Sequence, residues 1–296
     1  AVTGDPAWVP LAGPANKQGR IAADNISGRD SRFDGSQGTS ILRVFDMTVA
    51  ATGLNERAAE AAGYRFDKVV TFSPSHATYY PGASNMTIKT VFERGSGRIL
   101  GAQIVGFEGA DKRIEMGAAD LAELELAYAP PFSSAKDPVN MAGFVIGNLL
   151  DGTVRQFHWN DVPGVQHNPE VTLLDTRTPG EYRRGHIEGA VHIPLDELRD
   201  RLDELPKVKM IYTFCAVGLR GYLAYRILVQ HGFEKVRNLS GGLKTYHAAA
   251  APIILREESE NEVPAQPNAN IQQPADAQPQ KTVSPVEAVK TIRVDA

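Results

Sequence analysis

Residues Met210–Leu239, MIYTFCAVGLRGYLAYRILVQHGFEKVRNL, decide the fold of this chain. Met210–Phe214 is an apolar run too brief for a helix and suited to a buried strand. Gly221–His231 reads as an amphipathic helix stopped by Gly232, and Val236–Leu239 is the next strand. Upstream, Val171–Leu174 is another short apolar run, and Leu195–Leu205 has a helical pattern. Downstream, Gly241-Gly242 leads into a short helix. Strand and helix alternate over about one hundred residues, which argues for a parallel, doubly wound sheet. This domain starts near Thr153.

The rhythm before Gly152 is different. Strand patterns occur at Ile41–Phe45, Lys68–Phe72, Met86–Phe92 and Ile99–Val105. Glu93-Arg94-Gly95-Ser96-Gly97-Arg98 is turn chemistry, so the last two form a hairpin. Helices are expected from Ala15 to Gly28, from Asp111 to Leu126, and from Val139 to Leu150 behind Pro138. The pattern is α+β with an antiparallel sheet. Glu257–Pro285 is poor in large apolar residues and cannot offset its ordering entropy by burial, so it reads as a flexible linker. Thr291–Ala296 has strand-like alternation. Both ends read as cuts through a longer polypeptide, and Ala1–Gly4 has no signal-peptide character.

Hydrophobic residues make up 42 % and charged residues 22 % of 296, as in globular protein. A net charge of −4 offers no general basis for nucleic-acid binding. No run of eighteen apolar residues marks a membrane span. The single cysteine, Cys215, excludes an internal disulfide framework and fits a cytoplasmic setting. The seven histidines lack the pairing of a metal site.

Cys215 closes the strand Met210–Phe214 and opens the loop Cys215-Ala216-Val217-Gly218-Leu219-Arg220. Backbone N–H groups turning into a helix N-terminus form an anion-binding concavity. A thiolate held there should have a pKa below the free value of about 8.5. Gly218 lets the loop close without a Cβ clash, and Arg220 braces it and adds positive charge.

Val171–Pro194, VTLLDTRTPGEYRRGHIEGAVHIP, resembles the rhodanese signature in which D-x-R precedes G-H-I-x-G-A-x-x-I-P. Cys215, Gly218 and Arg220 match the rhodanese C-x-x-G-x-R loop, and Asn238–Gly242 matches the family's closing strand and double glycine. Tyr246 stands where many members have Trp. The resemblance covers about Thr153 to Ala251 and implies sulfurtransferase chemistry. Cys215 would take sulfur from a donor as a persulfide and pass it to an acceptor. Ala216, Val217, Gly218, Leu219 and Gly221 would hold the anionic persulfide, and Asp175 and Arg177 would anchor the loop from below. His186 and His192 read as structural hydrogen-bonders. Phosphatases on a related fold have five residues between Cys and Arg; this chain has four, with Phe214 in place of the usual preceding His. The tighter ring suits sulfur.

In the first half, His76–Gly82 and Tyr128–Pro138 are polar-aromatic segments too rich for plain connectors. With Val9–Arg20 they resemble the C-terminal part of coenzyme A-disulfide reductases, FAD-dependent pyridine nucleotide-disulfide oxidoreductases. The resemblance implies an α+β reductase dimerisation domain at residues 39–152, preceded by an FAD-domain remnant at 1–38. An α/β rhodanese domain with a parallel sheet follows at 153–255. A linker at 256–290 then leads to what resembles the start of a sulfur-carrier domain at 291–296. It also implies a homodimer, FAD and NAD(P)H as cofactors of the full-length enzyme, and coenzyme A or low-molecular-weight persulfides and disulfides as substrates. Tyr128 and Ala12 would face the flavin. Asn16, Lys136, Tyr79 and Tyr80 would serve the coenzyme A substrate. The chain as given lacks both nucleotide-binding domains and the reductase cysteine. The alternative is a non-catalytic dimerisation module with an inert rhodanese-like domain.

Overall fold

The computed structural model describes residues 2–6, 8–114, 121, 129–134 and 136–250. Helix α1 (Ala12–Ile26) falls where the apolar rhythm places it, and Gly28 beyond its end adopts φ 84°. None of its residues is buried.

Five strands follow: β1 (Ser40–Val44), β2 (Met47–Gly53), β3 (Phe66–Pro74), β4 (Asn85–Glu93) and β5 (Ile99–Gly106). They form one antiparallel sheet in the order β1-β2-β5-β4-β3. The expected hairpin is β4–β5, closed by Glu93 N–H to Arg98 O at 2.9 Å. Strand β2 and helix α2 (Glu56–Ala61) escaped the pattern reading. Phe45-Asp46 turns the chain between β1 and β2 with Phe45 at φ 52°, and no glycine announces it. At six residues, α2 is too short to show a helical period.

Helix α3 (Ala110–Ile114) packs Ala110 and Ile114 on Met86, Ile88 and Ile104. The rest of the helix expected to Leu126 falls, apart from Leu121, outside the described residues. Helix α4 (Pro138–Leu150) starts where Asp137 accepts the Val139 N–H at 3.1 Å. It sets Ile146 against Val69 and Phe92 and ends ahead of Gly152 at φ 67°.

Beyond Gly152 the sheet is parallel. Its strands are β6 (Gln156–Phe157), β7 (Val171–Asp175), β8 (Val191–His192), β9 (Met210–Phe214) and β10 (Val236–Leu239), in the order β6-β10-β9-β7-β8. Helices α5 (Val162–Gln166), α6 (Pro179–Arg183), α7 (Leu219–Gln230) and α8 (Gly242–Ala250) connect and flank them. Leu174 joins Ile193, Leu198, Ile211 and Leu228, whereas its neighbour Leu173 joins Phe157, Phe214, Leu239 and Leu243. Burial on both faces is why these strands read as continuous apolar runs. One expectation is corrected. Leu195–Glu204 is a 3₁₀ segment interrupted at Arg201 (φ −123°), because Leu198 is its only buried side chain and too little apolar face exists to hold a continuous helix.

The two sheets meet along β3, an edge strand. Gln156 Nε2 donates to Lys68 O at 2.7 Å, Val70 N–H donates to Ser240 Oγ at 3.3 Å, and His158 Nε2 meets Asp67 Oδ1 at 3.0 Å. Side chains of the parallel-sheet domain thus satisfy backbone groups that an edge strand would leave open. The expected linker and the final strand-like segment lie outside the described residues.

Candidate active site

Cys215 follows β9, and the chain must reverse within three residues to enter α7. Gly218 permits this at φ 110° and donates its N–H to Cys215 Sγ at 3.2 Å. Two loop carbonyls are bound from outside: Cys215 O accepts the Leu243 N–H at 2.8 Å, and Ala216 O accepts the Lys244 N–H at 3.0 Å. The first turn of α8 therefore fixes the loop. Gly242, at φ 61°, makes the approach feasible, since a Cβ there would lie 2.6 Å from Cys215 O and 2.7 Å from Val217 N. Asn238 Nδ2 adds a bond to Gly218 O at 3.2 Å, and Gly221 passes so close that a Cβ would meet Asn238 Oδ1. The Cys215 residue is 0 % exposed.

Arg220 stands beside this thiol, and its charge is fixed by Glu181 on α6 through two bonds of 2.7 Å. Its pKa is raised, first by the Glu181 hydrogen bonds, against partial burial, and then by the neighbouring Cys215. The Arg220 guanidinium in turn pulls the Glu181 carboxyl down to about 2, with further help from hydrogen bonds to Thr178. Glu181 was not singled out in the sequence. Its signal was there: Thr178-x-x-Glu181 is a capping box, with Glu181 bonded to the Thr178 N–H at 3.0 Å.

Asp175 and Arg177 are buried and paired. Arg177 Nε lies 2.9 Å from Asp175 Oδ1, and Nη2 lies 2.6 Å from Oδ2 and 2.7 Å from Gly185 O. Through Gly185 O they brace the end of the segment that carries Glu181. On the cysteine strand, Phe214 is level with Asp175, and its O accepts the N–H and Oγ1 of the following Thr176 at 3.0 Å. His192 Nε2 bonds Arg177 O at 2.8 Å and His186 Nδ1 bonds Tyr182 O at 3.1 Å, with the Tyr182 ring stacked on both imidazoles.

In the antiparallel domain the two polar-aromatic segments are brought together. Ala77 N–H donates to Ser133 O at 3.1 Å, and Lys112 Nζ donates to Phe132 O at 2.7 Å. Beneath them, buried Arg113 binds Asp137 at 2.7 Å, Ser75 O at 2.9 Å and Gly109 O at 3.0 Å. Burial would raise the Asp137 carboxyl, but hydrogen bonds from Arg113, Ser133 and the Val139 N–H hold it below its ordinary value. Arg113 thus fastens three segments that sequence reasoning left unconnected. Tyr79 is 73 % and Tyr80 43 % exposed, and Lys136 is exposed. Ala12 begins α1, and the exposed Asn16 donates to Ala12 O at 2.9 Å. Tyr128 lies outside the described residues. Among the described residues no group of three or more His, Cys, Asp or Glu could hold a metal ion, and no helix is long and apolar enough to cross a membrane.

Residues 39–135 match the pyridine nucleotide-disulphide oxidoreductase dimerisation domain, and residues 161–249 match the rhodanese-like domain. The chain carries these two domains in that order. It is similar to the coenzyme A disulfide reductase of Staphylococcus epidermidis, with 38 % identity over 149 residues, 47 % of this chain and 34 % of that protein. Reduced Bacillus anthracis CoADR-RHD is 46 % identical with a TM-score of 0.80, matching 83 % of this chain and 46 % of that one. A NAD-dependent persulfide reductase from A. fulgidus is 42 % identical with a TM-score of 0.71, matching 81 % and 45 %. The chain spans about a third of the length of the curated relatives it matches.

Proposed function

We propose that the parallel-sheet domain transfers sulfane sulfur through Cys215, within a flavin-dependent reductase of coenzyme A disulfides and persulfides. The observation that carries the reading is the short ring from Cys215 to Arg220, in which Gly218 N–H donates to the sulfur and Arg220 sits beside it, held by Glu181. The Cys215 thiolate attacks the outer sulfur of the donor. A new S–S bond forms, the donor's own bond to that sulfur breaks, and the leaving group departs with the electron pair, as sulfite when the donor is thiosulfate. A nucleophilic acceptor then attacks the outer sulfur, and Cys215 leaves as thiolate. Loop N–H groups from Ala216 to Gly221 hold the negative charge in both steps.

The similar proteins support a homodimer with reductase chemistry in the whole enzyme. FAD and NAD(P)H would supply the reducing electrons there. On this reading Ala12 would form part of one wall for the flavin; it lines a cleft of about 680 Å³ with Trp8, Val9, Pro10 and Leu11. Tyr79, Tyr80 and Lys136, exposed on the paired loops, remain the residues assigned to the coenzyme A substrate, together with Asn16.

Complete burial of Cys215 favours the second reading, an inert rhodanese-like domain in an assembly module. Alkylation at neutral pH separates the two. Loss of thiosulfate:cyanide sulfur transfer in step with Cys215 labelling supports catalysis, whereas transfer that persists in Cys215→Ser, or is absent from the wild-type chain with thiosulfate and with glutathione and coenzyme A persulfides, defeats it.

A further inference from the structure

The seam between the two sheets contains a cleft that sulfur chemistry does not use. It measures about 570 Å³ and is bordered by Asp67 and Arg94 of the antiparallel domain and by Arg155, His158, Asp161 and Arg237 of the parallel one. Asn238 on β10 is level with Gln156 on β6, so the preceding residues, Arg237 and Arg155, stand side by side. The Asn238 N–H to Arg155 O bond of 2.9 Å holds that register. Level residues on neighbouring strands share a face with Cβ atoms about 5 Å apart, and like charges in that position repel.

Among the described residues neither guanidinium of the pair is ion-paired. Among the described residues the Arg155 guanidinium has no hydrogen-bond or ion-pair partner, and Arg237 makes only a 3.3 Å bond to Gln156 O. Arg94 is held by Phe66 O at 2.9 Å and lies 3.7 Å from Asp67. Both carboxylates are already engaged: Asp67 with His158 and the Lys68 N–H, and Asp161 with the His158 N–H at 2.8 Å. Three arginines therefore outnumber the two carboxylates that border the cleft.

We infer that this cleft binds a phosphorylated small organic molecule, with its phosphate between Arg155 and Arg237. Two guanidinium forks borne side by side on neighbouring strands match the charge and the tetrahedral oxygens of a phosphate dianion. The volume is that of a small-molecule site rather than of a lone anion, and Leu149, Leu150 and Val154 offer the organic part an apolar surface. Val154 and Gln156 also border the neighbouring cavity of about 230 Å³, whose wall includes Val217 and Gly218 of the cysteine loop. The occupant would therefore brace the seam next to that loop.

Calorimetric titration of the full chain with phenyl phosphate at fixed ionic strength tests this. One saturable site per chain is expected, with inorganic phosphate binding more weakly and neutral benzyl alcohol not at all. Arg155→Gln and Arg237→Gln should each weaken binding about tenfold or more. Arg201→Gln, at a residue paired with Glu197 and Glu204 outside the cleft, should not change it. Cys215→Ser should also bind normally, so this site and the sulfur chemistry stand or fall separately. A non-saturable response, or wild-type affinity in the Arg155→Gln/Arg237→Gln double variant, overturns the proposal.

Discussion

The two domains place their candidate functional groups in opposite ways. In the parallel-sheet domain, Cys215, Arg220 and Glu181 come from one fold, with Gly218 N–H on the sulfur and Arg220 bonded to Glu181 within it. In the antiparallel domain the charged machinery is buried as scaffold, Arg113 on Asp137, while Tyr79, Tyr80 and Lys136 stand exposed above it. The first arrangement is a self-contained site. The second is an exposed surface, in a domain that matches a dimerisation family. Buried ion pairs define where loops sit, whereas exposed side chains leave area that a partner can cover.

Four substitutions and one titration sharpen or break this contrast. Cys215→Ser should lower sulfur transfer about a thousandfold or more, measured as thiocyanate formation, because no other thiol exists in the chain. Arg113→Met leaves Asp137 charged and unpaired in the interior and should cost about 3–5 kcal/mol in urea unfolding. A cost near zero would show that the paired loops do not depend on that scaffold. Glu181→Gln frees Arg220 and should reduce the transfer rate about tenfold while leaving a folded chain. Lys136→Ala should change unfolding free energy by no more than about 0.5 kcal/mol, since the side chain is exposed. A larger loss would place it in the scaffold.

The titration concerns Glu181. Its folded pKa of about 2 lies below the ordinary value of 4.5, so the ion pair stabilises the fold fully above 4.5 and loses that contribution as pH falls from there towards 2. The stability difference between wild type and Glu181→Gln should therefore shrink across that window. A difference independent of pH would mean that Arg220 does not hold the carboxylate charged.

Much of the parallel domain could be read directly. Met210–Phe214 and Val236–Leu239 coincide with β9 and β10, because strands buried on both faces are written as unbroken apolar runs. Short pieces were lost: β6 and β8 have two residues each, too few for any period. The segment Leu195–Leu205 had the spacing of a helix but lacked the apolar face to sustain one. In the antiparallel domain, β2 was missed because its turn, Phe45-Asp46, lacks the glycine that normally marks a hairpin.

The sequence by itself determined the make-up of the loop: one thiol, separated by four residues from an arginine, between a buried strand and a helix. It also determined the order of the two domains, since local period and motif spacing are properties of neighbouring residues. Tertiary structure alone decided that Glu181 holds Arg220, that Thr176 ties the cysteine strand, that Arg113 gathers two distant loops, and that Arg155 and Arg237 stand side by side in the seam. Those relations join residues far apart along the chain, and only the docking of strands and helices brings their charges within the few ångströms over which a hydrogen bond or ion pair acts.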